Sequence, residues 1–262
     1  MSGPGNRGHP IIKDHRLGER LRCAIPVSNL QIAKLYEGNL DLRKAQGIRL
    51  PKTLFVDGDL DLSGSHDVRL PKRLRVSGRL DLSDTLVEEL PAKLRVDGDL
   101  CLFSTRIRKL PKGIRLGAGL DLRASAISKL PKGLEVPGNL ELSATLIDSL
   151  AENLSVGGDL YLGNSELTRL PARLAVGGGL DLSATPVVEL PDGLRVGRWL
   201  NLVGTSIKRL PKGLCVGDWL DLRALELKKL PKDLEVGGDL YLAGTRIKRV
   251  PGSVKIGGDI EF

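Results

Sequence analysis

Apolar side chains return along this chain with a period that never slips. From Leu40 a Leu-x-Leu triplet recurs every twenty residues, through Leu60, Leu80, Leu100, Leu120 and Leu140 to Leu240, and Ile260 with Phe262 stands in the same frame. Counted from its proline, each unit reads P-x-x-L-x-V-x-G-x-L-x-L-x-x-T-x-I-x-x-L, running from Pro51 to Pro251 with Ala151 replacing proline once. A fixed repeat of this length marks a solenoid, because one unit is too small to bury its apolar face and does so against its neighbours.

Within a unit the apolar residues sit at alternate positions, as in Leu54, Val56, Leu60 and Leu62. That is the period of a strand with every second side chain inward. Gly58 interrupts the alternation, so each rung is predicted to hold two short strands, L-x-V and L-x-L, joined at a glycine corner. Thr85, Thr105, Thr145, Thr185, Thr205 and Thr245 form a column after the second strand, where a hydroxyl can satisfy backbone groups of the turn. An Ile or Val follows, and a Leu-Pro pair closes the rung. Proline suits a loop and not a paired central strand. The fold expected is mainly β, a solenoid of about eleven to twelve such rungs over residues 40–262.

Residues 1–39 depart from the repeat. The first ten are polar and glycine-rich and are expected to be disordered. Residues 11–39 carry Ile11, Ile12, Leu17, Leu21, Ile25, Leu30 and Leu35 among charges, compatible with a short helix or a degenerate rung, and are expected to cap the stack. No apolar stretch has the length of a signal-peptide core or a membrane span. Ile260 and Phe262 leave the last rung poorly covered, an edge open to pairing with another chain.

Composition agrees with a thin interior. Hydrophobic residues make up 41% of the chain, but only three Phe, three Tyr, two Trp and one Met are present. Forty basic against 32 acidic residues give a net charge of +8, a modest excess for a dedicated nucleic-acid binder. Cys23, Cys101 and Cys215 have no ligand spacing, and their odd number argues for free thiols in a reducing compartment.

The string L-x-L-x-x-T-x-I-x-x-L-P resembles the leucine-rich repeat family in its shortest bacterial form. It is similar to the twenty-residue repeats of type III secreted effectors, in which L-P-x-x-L precedes the L-x-L strand. The similarity covers residues 38–262. Two departures stand out: Thr or Ser replaces the family's turn Asn, and L-x-V-x-G precedes the strand. The second departure predicts a strand on the convex side and a straighter β-solenoid than a sharply curved horseshoe. The resemblance implies a bacterial protein, cytoplasmic or exported into a host cell by a specialised system without a classical signal peptide. Those effectors often append a ubiquitin-ligase domain with a catalytic cysteine; with the chain ending at Phe262, none is expected here.

Catalysis finds little support in the residues. His9 and His15 lie in the N-terminal stretch, His66 lies in a turn, and Cys101 and Cys215 fall in different columns more than five rungs apart. The V-G-G-D and V-D-G-D strings are corners of the repeat and not phosphate loops. The carboxylate column Asp61, Asp81, Asp121, Glu141, Asp181 and Asp221 reads as an exposed ladder and not as a pair of catalytic acids. The expectation is a protein that is not an enzyme and uses no cofactor or metal.

Surface columns carry the rest. The residue between the two leucines must point outward, and there Asp41, Asp61, Asp81, Asp121, Glu141, Asp181 and Asp221 alternate with Cys101, Tyr161, Asn201 and Tyr241. Basic residues gather at the Leu-Pro closures. Tyr161, Trp199, Trp219 and Tyr241 fall on or beside the L-x-L strand although a core was available to them, and Trp199 and Trp219 share one column on consecutive rungs. In those two rungs the glycine corner carries Arg198 and Asp218, which could pair with each other while the stacked rings cover an irregularity. Exposed Trp and Tyr are also the usual anchors of an interface. The sequence thus predicts a protein-interaction module with Trp199, Trp219, Tyr161 and Tyr241 as anchors and Asp181, Asp221 and Asp239 as polar contacts. Its rival is a polyanion binder for nucleic acid, lipopolysaccharide or anionic membrane, using Lys208, Arg209, Lys228, Lys229 and Lys248, with weak, salt-sensitive affinity expected.

Overall fold

A computed structural model describes residues 35–262; the expected disordered terminus and the cap up to residue 34 lie outside them. The described chain is all strand and turn, wound as a parallel β-solenoid of about eleven twenty-residue turns. Every Leu-x-Leu triplet opens a two-residue strand, and these form one twelve-stranded parallel sheet from Leu40–Asp41 to Ile260–Glu261. Register is set by the repeat, so Leu60 faces Leu80 and Asp61 faces Asp81. The Leu-x-Val segments build the opposite wall as strands, as the sequence predicts for them. That wall already includes Leu35–Glu37, paired with residues 55–57.

The opposite wall is two sheets and not one. Five strands run from Leu35–Glu37 to Arg115–Leu116, and seven from Glu135–Val136 to Lys255–Ile256. In most rungs the residue after the Val donates its N–H to the Val of the preceding rung, as Gly117 does to Val96 at 2.9 Å and Gly157 to Val136 at 2.8 Å. The break falls where Pro137 occupies that position. Proline has no N–H to donate, and the ladder parts there.

Between the walls lies a single apolar cluster of Leu, Val and Ile. Leu60, Leu62, Leu80, Leu82, Leu100 and Leu102 are fully buried. Each such Leu contributes about 1.5–3 kcal/mol relative to an exposed position. The threonine column does what its chemistry predicts: the hydroxyls of Thr85, Thr105, Thr145, Thr185 and Thr205 donate to the carbonyl three residues earlier at 2.6–2.8 Å. Thr245 instead accepts from the N–H of Ile247 at 3.3 Å. The residue just before this column adopts a left-handed conformation in every turn from Lys44 (φ 56°) to Gly244 (φ 77°). Glycine meets that demand without strain at Gly64, Gly204 and Gly244, while Ala124, Ala144, Ala184 and Ala224 meet it at a steric cost. Among the described residues no helix is long and apolar enough to cross a membrane.

Candidate functional site: an aromatic row on the Leu-x-Leu sheet

The position before each Leu-x-Leu triplet has a structural task that the repeat does not advertise. Where it is Asn or Asp, its Oδ1 accepts the backbone N–H of the equivalent residue one rung on: Asn39 from Asp59 at 2.8 Å, Asn139 from Asp159 at 2.8 Å, Asp239 from Asp259 at 2.9 Å. That oxygen occupies the space a Cβ would need at the glycine corner above it, as at Gly78, Gly158, Gly178 and Gly258. Arg198 and Asp218 sit above Gly179 and Trp199, which carry no such oxygen, so one obstacle to a side chain is absent there. A second, the backbone of the preceding rung, is met at Gly98 and Gly138, which also lack the oxygen below them. Ala118, above Asp99, departs from this rule, and nothing in the structure explains it.

The four aromatic residues singled out by sequence come together as one row. Trp199 and Trp219 stack with centroids 5.2 Å apart and planes within 9°. Tyr161 meets Trp199 at 5.6 Å in a tilted pair, and Tyr241 meets Trp219 edge-on at 6.4 Å. Successive contacts of this kind link side chains across five rungs, and each pair adds about 0.5–1.5 kcal/mol beyond its area. The rings are half-buried, shielded by one another and by the sheet. Trp199 leans back over Gly179, whose missing side chain leaves the space for the indole; Gly178 and Gly179 are buried beneath it. The phenols are anchored by acids, Tyr161 donating to Asp159 at 3.1 Å and Tyr241 to Asp239 at 3.3 Å. Burial first, and then the neighbouring carboxylates, push both phenols above the ordinary tyrosine value.

The expected polar contacts lie on the same face. Asp181 stands in register between Tyr161 and Asn201, its Oδ1 accepting the N–H of Ser183 at 2.9 Å. Asp221 is buried, with both oxygens engaged by Arg223 at 2.6–3.0 Å. The guanidinium of Arg223 in turn lies 5.6 Å from the Tyr241 ring centroid. Arg198 reaches Asp159, at 3.8 Å, and meets Asp218 through the backbone, where the Asp218 N–H donates to the Arg198 carbonyl at 2.8 Å. The sequence thus missed Gly179, Asp159 and Arg223 as members of the site. A signal for the first was present: Gly177, Gly178 and Gly179 form an unbroken glycine triplet one rung before Trp199.

The basic positions occupy the Leu-Pro edge. Lys208, Lys228 and Lys248 fall in one exposed column, with Arg209 and Lys229 in the next. Arg209 meets Glu189 at 4.0 Å, an exposed contact worth little. Cys101 is buried in the sheet, and burial pushes its thiol up to about 11, so it is protonated near neutrality. Among the described residues no group of three or more His, Cys, Asp or Glu is placed to hold a metal ion.

Fold and face define a repeat solenoid with a twenty-residue period and a continuous aromatic row on its longer sheet. Comparison with protein-family models gives no match, and comparison with curated proteins gives none either.

Proposed function

We propose that this protein is a non-enzymatic interaction module that binds a protein partner through the outward face of the Leu-x-Leu sheet. The observation that carries this reading is the row Tyr161–Trp199–Trp219–Tyr241. A parallel sheet presents this row on a rigid frame, and large aromatic groups held in place lose little entropy on binding. Asp181 and Asp239 supply the polar rim, while Asp221, buried beneath Arg223, holds that arginine on the same face. The resemblance of L-x-L-x-x-T-x-I-x-x-L-P to bacterial leucine-rich repeats makes a scaffold in the bacterial cytoplasm or an effector exported into a host cell the natural setting.

The test is affinity capture with the whole chain and with a Trp199→Ala/Trp219→Ala variant, followed by mass spectrometry and titration of the captured protein. A protein retained by the wild type and lost by the variant, with cooperative melting preserved in both, supports the reading. Capture that is identical for the two chains overturns it. A second reading rests on the exposed cationic columns of Lys208, Lys228 and Lys248 and of Arg209 and Lys229. Tight DNA or RNA binding at physiological salt, abolished by charge reversal at those positions, would put polyanion binding first.

A further inference from the structure

The outward acids of the Leu-x-Leu sheet are not equivalent. Asp41 pairs with Arg43 at 2.7 Å, and Asp61 meets the same arginine at 3.6 Å. Asp81 pairs with Arg79 at 2.6 Å, Asp121 with Arg123 at 2.7 Å, and Asp221 with Arg223 at 2.6 Å. Along this column, from Asp41 to Asp221, Glu141 and Asp181 have no ion pair among the described residues. The cause is local and chemical. The position two residues on, which supplies the arginine in three of those pairs, is Ser143 in one rung and Ser183 in the other. Arg123, the cation that acts on Glu141, is already bound through two nitrogens to Asp121.

Those two carboxylates flank the first ring of the aromatic row. Glu141 is in register with Tyr161, and Tyr161 with Asp181, so the three side chains stand side by side on adjacent strands about 4.8 Å apart. Arg223 covers the Tyr241 ring from eighteen residues earlier, and the equivalent position for Tyr161 is Ser143, which carries no cation. Glu141 and Asp181 thus stand two strands apart, about 9.6 Å, with the ring between them, and Asp121 lies directly opposite Glu141 on its other side, where a like charge is unfavourable. Partial burial first, and then repulsion from Asp121, Asp181 and Asp159, hold the Glu141 carboxyl above its ordinary value.

We propose that the aromatic row docks a protein segment bearing arginine or lysine, with one cationic side chain laid over Tyr161 between Glu141 and Asp181. This rests on the interaction reading above and names the chemistry of the partner. The ring face offers cation–π attraction, worth about 0.5–2 kcal/mol according to desolvation. The two carboxylates supply charge that no ion pair of the described chain neutralises, and Trp199 and Trp219 continue the contact for apolar side chains beside the cation. A partner surface that is acidic at this point meets repulsion, so the face discriminates by charge.

The probe is a synthetic oligoarginine peptide, with its oligocitrulline counterpart as the uncharged control of the same shape. Binding to the whole chain is followed by tryptophan fluorescence and calorimetry at physiological salt. Glu141→Gln/Asp181→Asn removes the charge, while the amide oxygen introduced by Asp181→Asn still accepts the Ser183 N–H. Glu88→Gln/Glu89→Gln removes equal charge at an exposed turn elsewhere. The expected result is oligoarginine binding that weakens roughly tenfold in Glu141→Gln/Asp181→Asn, is unchanged in Glu88→Gln/Glu89→Gln, and is lost with oligocitrulline. Absence of oligoarginine binding, or equal weakening in both charge variants, overturns the proposal. Should a partner captured by the whole chain need Trp199 and Trp219 but bind Glu141→Gln/Asp181→Asn normally, the aromatic docking face stands and the basic-partner inference fails.

Discussion

The indole of Trp199 lies over Gly179 of the preceding rung, in space that a side chain at 179 would fill. Even a methyl group there must push the ring aside or move the strand. Gly179→Ala is therefore expected to destabilise the protein by about 1–3 kcal/mol, as overpacking does, and to break the stack with Trp219. Chemical denaturation measures the first effect and the near-ultraviolet tryptophan dichroism the second. A variant with wild-type stability and an unchanged spectrum would show that the indole is not held by this contact.

The left-handed column invites the opposite substitution. Ala144 has φ 56° and Ala224 φ 61°, where a Cβ is strained and glycine is not. Ala144→Gly and Ala224→Gly are each expected to stabilise by about 0.5–1 kcal/mol, the relief of strain exceeding the added entropy of the unfolded chain. Thermal melts of the single variants and of the double, whose effects should add for separated rungs, check this.

Glu141 sets the sign of a pH dependence. Its folded carboxyl lies above the ordinary value for a glutamate, chiefly through burial, so between the ordinary value and the raised one the native state binds more protons than the unfolded state. Stability then falls as pH rises through the window, and the penalty persists at neutral pH. Glu141→Gln is expected to melt higher than wild type at pH 7 and to converge with it below about pH 4, where the carboxyl is protonated in both states. A gap that widened on acidification would contradict the assignment.

Pro137 interrupts a ladder that its neighbours complete. Pro137→Ala restores an N–H facing the carbonyl column in which Gly117 and Gly157 already donate. Hydrogen exchange around residues 135–138 is expected to slow, with a gain in stability of about 0.5–1 kcal/mol from the new bond, partly offset by the freer unfolded chain. Unchanged exchange would mean that the two sheets part for a reason other than the missing donor.

Much of this molecule is legible in its repeat. The alternation of Leu54, Val56, Leu60 and Leu62, the glycine corner and the Leu-Pro closure specify strands, turns and the inward face, because burial of every second side chain leaves one register. The same columns place Tyr161, Trp199, Trp219 and Tyr241 outside the core. What a column cannot say is where a side chain goes once outside. The Trp199 indole reaches back past Gly179 to Tyr161, the Arg198 guanidinium goes to Asp159 and not to Asp218, and Asp221 is buried under Arg223 while Asp181 carries no ion pair among the described residues. Those outcomes belong to the tertiary structure. An outward rotamer is chosen by the volume and charge left open by residues one and two rungs away, and only stacking the rungs brings those residues into contact.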